Sequence, residues 1–148
     1  MNNLNSSGLE NVCRELSGEF QGVLAWKWDD RFQTVLAEFN VDNKERIHNS
    51  LERRLDRIWD SSNIEKAPVV VQTISSTFGG IMPGQLLFTS DPDQDALVFC
   101  AWWPWGNGET ISIRLSPFYK KPFDSDRAEG PQEFKKWFGV NIDITGAV

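Results

Sequence analysis

From Val69 onward the chain keeps switching between strand chemistry and turn chemistry at short spacing, and this most restricts what it can fold into. Val69–Ile74, Gln85–Thr89, Ala96–Trp102 and Glu109–Leu115 are rich in β-branched and aromatic residues. Between them stand Gly79-Gly80 with Pro83-Gly84, then Asp91-Pro92-Asp93, then Gly106-Asn107-Gly108. Such residues make turns, and separators this short favour antiparallel neighbours, because a parallel pair needs a long crossover.

The first half adds helices and a hairpin. Leu9, Val12, Cys13 and Leu16 recur at helical spacing, which predicts a helix over 6–17, capped by Ser6 or Ser7 and stopped by Gly18. Two strand-like runs follow. In Val23–Trp28, Leu24, Trp26 and Trp28 share a face; in Phe32–Phe39, Val35, Ala37 and Phe39 do, with Leu36 on the other. Asp29-Asp30-Arg31 suits a tight hairpin connection. A helix over 43–61 has Ile47, Leu51, Leu55, Ile58 and Trp59 as its apolar stripe, with Asp42 and Glu45 placed as a capping box. Pro131 opens a short helix carrying Phe134, Trp137 and Phe138, Gly139 closes it, and Val140, Ile142 and Ile144 offer a last strand. The order α-β-β-α-β-β-β-β-α is an α+β fold, a mainly antiparallel sheet packed by one long and two shorter helices. With 148 residues and no repeat, one domain over 1–148 is expected, frayed at residues 1–5 and 145–148.

Charge and composition exclude several functions. Fifteen Lys+Arg stand against twenty-one Asp+Glu, a net charge of −6, and no basic residue occurs between Lys66 and Arg114. The strand region therefore cannot supply a phosphate-tracking surface, so no nucleic-acid partner is expected. No apolar run reaches the ~18 residues of a membrane span, and the first residues lack the basic and apolar regions of a signal peptide. A cytoplasmic protein without a membrane partner is the expectation. Cys13 and Cys100 are too few for a disulfide framework and sit in apolar contexts.

Motifs for catalysis or metal binding fail on their chemistry. Gly79 and Gly84 have the gap of a phosphate-binding loop, but Gln85 and Leu86 stand where Lys and Ser/Thr are needed. Asp91, Asp93 and Asp95 begin like a calcium loop, which then needs Gly and Glu where Ala96 and Trp102 stand. His48 is the single histidine and reads as a half-buried core residue at the stripe's edge. Glu109, Asp124, Asp126 and Glu129 read as exposed loop carboxylates. No catalytic residue, metal or cofactor is expected.

Two features rise above this background. Seven tryptophans crowd a few places: Trp102, Trp103 and Trp105 surround one turn, while Trp26 and Trp28 share a hairpin face. Alternation puts Trp102 and Trp103 on opposite sheet faces, and Trp105 at a turn is hard to bury. On the 43–61 helix, Arg46, Arg53 and Arg57 fall on one flank of the stripe, with Glu45, Glu52 and Asp56 on the other. The leading expectation is a small acidic non-enzymatic protein of the immunity-like or chaperone-like kind. It would bind another protein or a second copy as a homodimer, through Trp103, Trp105, Arg53 and Arg57. The alternative is a small apolar or aromatic ligand held in a cleft walled by Trp26, Trp28, Trp102 and Trp103. An enzyme of unknown reaction, using His48 or the acidic loop, ranks third.

Overall fold

Leu9, Cys13, Leu16 and Phe20 form one stripe, and Ser6–Glu19 coils as α1 to bury the first three completely. The computed structural model describes residues 6–120 and 130–140; the Ser6 and Ser7 caps lie outside its described side chains. Gly18 lies inside α1 instead of ending it. The left-handed turn comes at Gly22 (φ +79°), after the amides of Val23 and Leu24 bond back to the Phe20 carbonyl (2.9 Å each). Those bonds hold Val23 and Leu24 out of the expected strand, so β1 is only Lys27–Asp29. It forms a hairpin with β2 (Thr34–Asn40), Trp28 opposite Val35.

The expected 43–61 helix is shorter. Asn40 accepts the Asp42 amide (2.8 Å) and caps a 3₁₀ turn over Val41–Asn43, which leads into α2 (Lys44–Arg54). The Asp42/Glu45 capping box is therefore absent, and Asn43 makes no side-chain cap bond. Leu55 is extended (φ −120°, ψ 97°), and Arg57–Trp59 pair with a neighbouring strand as β3. Ile58 and Trp59 satisfied a helical stripe on the wheel, but strand pairing and a Trp59 Nε1–Thr89 Oγ1 bond (3.1 Å) claim them instead.

Val69–Ile74, expected as a strand, begins α3 (Val69–Thr77). The helix buries Val71, Ile74 and Ser75 at i, i+3 and i+4 and leaves Val69 80% exposed. Gln72 Nε2 donates to the carbonyls of Glu65 and Ala67 (3.1 Å each), anchoring α3 to a 3₁₀ turn over Ile64–Lys66. Tertiary burial on one side thus overrides the strand preference of the β-branched run.

The remaining strands follow the turn pattern: β4 (Leu86–Thr89), β5 (Ala96–Pro104) and β6 (Thr110–Tyr119). They complete a six-stranded sheet in the order β1-β2-β6-β5-β4-β3, antiparallel throughout. A last helix, α4 (Gly130–Trp137), ends before Gly139 at φ +67°. The expected final strand lies outside the described residues beyond Val140, as do the residues expected to fray. The fold is α+β, with an α3 and a β3 that the expected order lacked.

The sheet has two unequal sides. Val35, Ala37, Phe39, Val98, Cys100, Trp102, Ile113 and Leu115 pack with α1, α2 and α4 in the main core. Leu87, Leu97, Phe99 and Ala101 face the other way and are covered by α3. The second face carries the more unusual chemistry.

Candidate functional site

The pleat divides the tryptophans between these faces. Trp102 is 5% exposed in the main core, its ring against Phe39 (5.5 Å), His48 (5.5 Å) and Phe88 (5.9 Å). Trp26 and Trp28 pack half-buried on this same face. Trp26 meets Phe138 edge-on at 5.0 Å, and its Nε1 is buried with no partner among the described residues. Trp28 carries the Lys135 ammonium 4.3 Å from its ring centre. Trp103 lies on the opposite face, so these four side chains do not wall a single cleft.

Around Trp103 the second face builds a box of rings and a guanidinium. Phe32, between β1 and β2, lies 4.8 Å from Phe78 and meets Trp103 edge-on at 5.8 Å. Phe78, just beyond α3, also meets Trp103 at 5.3 Å and Phe99 at 5.6 Å. The Arg114 guanidinium sits 4.5 Å from the Trp103 centroid and 5.2 Å from that of Phe32, close enough for cation–π attraction to both. Register explains its position. Arg114 pairs with Leu36, and Leu36 with Lys27, so Arg114 and Asp29 share this face across β2.

An ion pair fixes the arginine. Arg114 Nε donates to Asp29 Oδ2 at 2.6 Å, with the two side chains only 16% and 12% exposed. Asp29 Oδ1 accepts the Arg31 amide at 3.0 Å. Burial pulls the Asp29 carboxyl upward, but the Arg114 hydrogen bond and charge, with the amides of Arg31 and Phe32, outweigh it. The carboxyl is held below the ordinary aspartate range. Gln33 follows Phe32 at φ +57°, a left-handed backbone costing a non-glycine residue roughly 1–2 kcal/mol. Its side chain donates to the Asp30 carbonyl (2.8 Å).

Two arginines at the end of α2 pair with α1. Arg53 bonds Glu19 of α1 (3.0 Å), and Arg54 bonds Glu15 (3.2 Å) and Glu19 (3.4 Å). Burial raises the Glu19 pKa, and the Arg53 hydrogen bond with the charges of Arg54 and Arg53 more than reverses this, leaving it below the usual range. Arg57 does not share the Arg53 flank, since the chain has left the helix by then. It lies 3.7 Å from Asp91 in the turn after β4. Val12, Arg53, Arg54, Asp56, Ser90, Asp91 and Gln94 surround a hollow of about 310 Å³. Its arginines already hold carboxylates.

The reactive side chains have structural partners. Cys13 and Cys100 are fully buried, and burial pushes both thiols far above their ordinary pKa; Glu10 adds to this at Cys13. The Cys100 thiol points to the Ala101 carbonyl at 3.9 Å. His48 Nδ1 lies 3.6 Å from Glu52, and its ring meets Phe88 at 5.1 Å. Asp91 accepts the Asp93 amide (2.9 Å) and shapes its own turn. Among the described residues no cluster of three His, Cys, Asp or Glu could hold a metal; Asp124, Asp126 and Glu129 lie outside them.

One end of the sheet exposes two large apolar side chains. The β4–β5 pairing reaches that end at Leu86 opposite Trp102, so the loop before β4 and the turn after β5 emerge together. Met82 in that loop is 59% exposed and Trp105 in that turn 44%. The turn is well held: the Trp105 amide donates to the Thr110 carbonyl (2.8 Å), and Asn107 Oδ1 accepts the amides of Glu109 (2.8 Å) and Thr110 (3.0 Å). Trp105 was legible from its turn position. Met82, Phe32, Phe78 and Arg114 were not singled out in the sequence, although Arg114 is the first basic residue after Lys66 and interrupts an otherwise uncharged strand. Protein-family models, curated proteins and solved structures offer no match to this chain.

Proposed function

We propose that the protein is a non-enzymatic binding protein that holds a segment of another protein against the sheet end marked by Trp105 and Met82. The observation that carries this reading is two large apolar side chains, 44% and 59% exposed, on adjacent loops. Exposed Trp is the side chain most often central to binding energy, and Met adapts to varied apolar partners. The hydrogen bonds within the Trp105 turn present the indole on a pre-ordered backbone, which lowers the ordering cost of association.

Charge selects the partner. Asp91, Asp93 and Asp95 lie at the far end of β5, but Glu109 stands in the same turn as Trp105, no Lys or Arg occurs between Lys66 and Arg114, and the chain carries a net charge of −6. An apolar segment flanked by basic residues fits it, its cations free to stack on Trp105. An accessory role of the immunity-like or chaperone-like kind suits such a surface.

The test is titration with a synthetic amphipathic Leu/Lys peptide, followed by tryptophan fluorescence and sedimentation. The expected result is saturable binding that weakens at least about tenfold in Trp105→Ala, the loss of a central anchor. Equal affinity for Trp105→Ala, with binding abolished by salt, would mean simple attraction to net charge and would overturn the reading. A dimer of the chain alone that dissociates in Trp105→Ala would overturn the choice of partner in favour of a second copy.

A further inference from the structure

Phe32 sits where a ligand would. We propose that the box formed by Phe78, Trp103 and Arg114 is a binding site for a flat aromatic ring, closed in this structure by the chain's own Phe32. It lies on the second sheet face and does not depend on the Trp105 end, so either idea can fail alone.

The box stands without its plug. Phe78 is held by Trp103 (5.3 Å) and Phe99 (5.6 Å), and Arg114 is pinned to Asp29 at 2.6 Å. None of these contacts uses Phe32. Asp29 belongs to the hairpin stem and Phe32 to its tip; opening the tip gives up the Arg31 and Phe32 amide bonds to Asp29 but does not require the Arg114 ion pair to break. The tip is held by local bonds and by Arg31 4.9 Å from the Phe32 ring centre, but β1 beneath it is only a three-residue edge strand, and Gln33 beside Phe32 holds a left-handed backbone (φ +57°) that a change of tip conformation relieves.

The geometry also names the ligand class. The Arg114 guanidinium lies within cation–π range of Trp103 at 4.5 Å and of the Phe32 ring at 5.2 Å. The Phe78 and Trp103 rings supply the remaining walls. A ring entering in place of Phe32 meets the same groups, and an indole offers a stronger cation–π face than a benzyl group. The incoming ring competes with Phe32, so its apparent affinity is reduced by the fraction of molecules whose tip is open.

Removing the competitor tests this directly. Indole, and separately N-acetyl-tryptophanamide, is titrated into the native chain and into Phe32→Ala, following the Trp103 Nε1–H and Arg114 Nε–H NMR signals. The expected result is at least about tenfold tighter indole binding by Phe32→Ala, with both signals shifting. Comparable binding of the amide identifies the ligand as an aromatic side chain of a polypeptide; binding of indole alone identifies a small molecule. Unchanged affinity in Phe32→Ala, or shifts confined to other residues, would overturn the proposal. Should circular dichroism show Phe32→Ala unfolded, Phe32→Leu is read the same way: indole binding at least about twofold tighter than native supports the site, and no gain rejects it.

Discussion

Arg114→Met is the sharpest test of how the second face is assembled. Methionine keeps much of the apolar stem but removes the guanidinium from Asp29 and from both rings. Breaking a buried ion pair from one side costs about 3–5 kcal/mol, because the remaining charge is stranded. Here the partners retain 16% and 12% exposure, so about 2–3 kcal/mol is the appropriate scale. Loss of the contacts to Trp103 and Phe32 adds about 0.5–1 kcal/mol. The sum is about 3 kcal/mol. In urea, with a slope of about 2 kcal/mol/M for a chain this size, the midpoint falls by about 1.5 M. Asp29→Asn alone costs less, and the double variant is more stable than the two single losses added together by at least about 1 kcal/mol, since no carboxylate is then stranded. Tryptophan fluorescence and far-ultraviolet circular dichroism follow the unfolding. Strict additivity within about 0.5 kcal/mol would show that the ion pair does not organise this face.

Leu51→Ala, at a fully buried α2 position, lowers stability by about 2–5 kcal/mol, whereas Val69→Lys at an 80% exposed one changes it by no more than about 0.5 kcal/mol; urea midpoints separate them. Asp29 and Glu19 both titrate lower in the folded chain than unfolded. Their stabilisation is therefore complete above the ordinary carboxyl pKa, about 4, and is lost as pH falls below it. Native stability then converges on that of Asp29→Asn between about pH 5 and pH 2, as paired melting curves would reveal. Cys13 and Cys100 resist thiol-disulfide reagents in the folded protein and react once urea unfolds it; rapid labelling of the native chain would contradict their burial.

Much of this architecture was legible where local chemistry and tertiary demand agree. The turns at Asp91-Pro92-Asp93 and Gly106-Asn107-Gly108 join β4, β5 and β6, and alternation placed Trp102 and Trp103 on opposite faces. Val69–Val71 misled because β-branched residues favour strands locally, while burial of Val71, Ile74 and Ser75 on one side decided for a helix. Trp59 misled because its spacing fits a helical stripe, and nothing local announces that Thr89 will take its indole N–H. The box lay beyond local reasoning altogether. Asp29 and Arg114 are 85 positions apart, and Phe32 reads as a hairpin residue until the sheet order brings its tip over Trp103. An arginine between Ile113 and Leu115, with small hydroxyls at Ser112 and Ser116 on its own face, was the available signal.

The proposed function makes a claim about place, and amide NMR reads place directly. With the Leu/Lys peptide titrated into the native chain at moderate salt, the account predicts shifts concentrated at residues 81–85 and 105–109, the two loops that carry Met82 and Trp105. Amide shifts centred instead on Glu10, Glu52 and Asp56, with residues 81–85 and 105–109 unmoved, would contradict it.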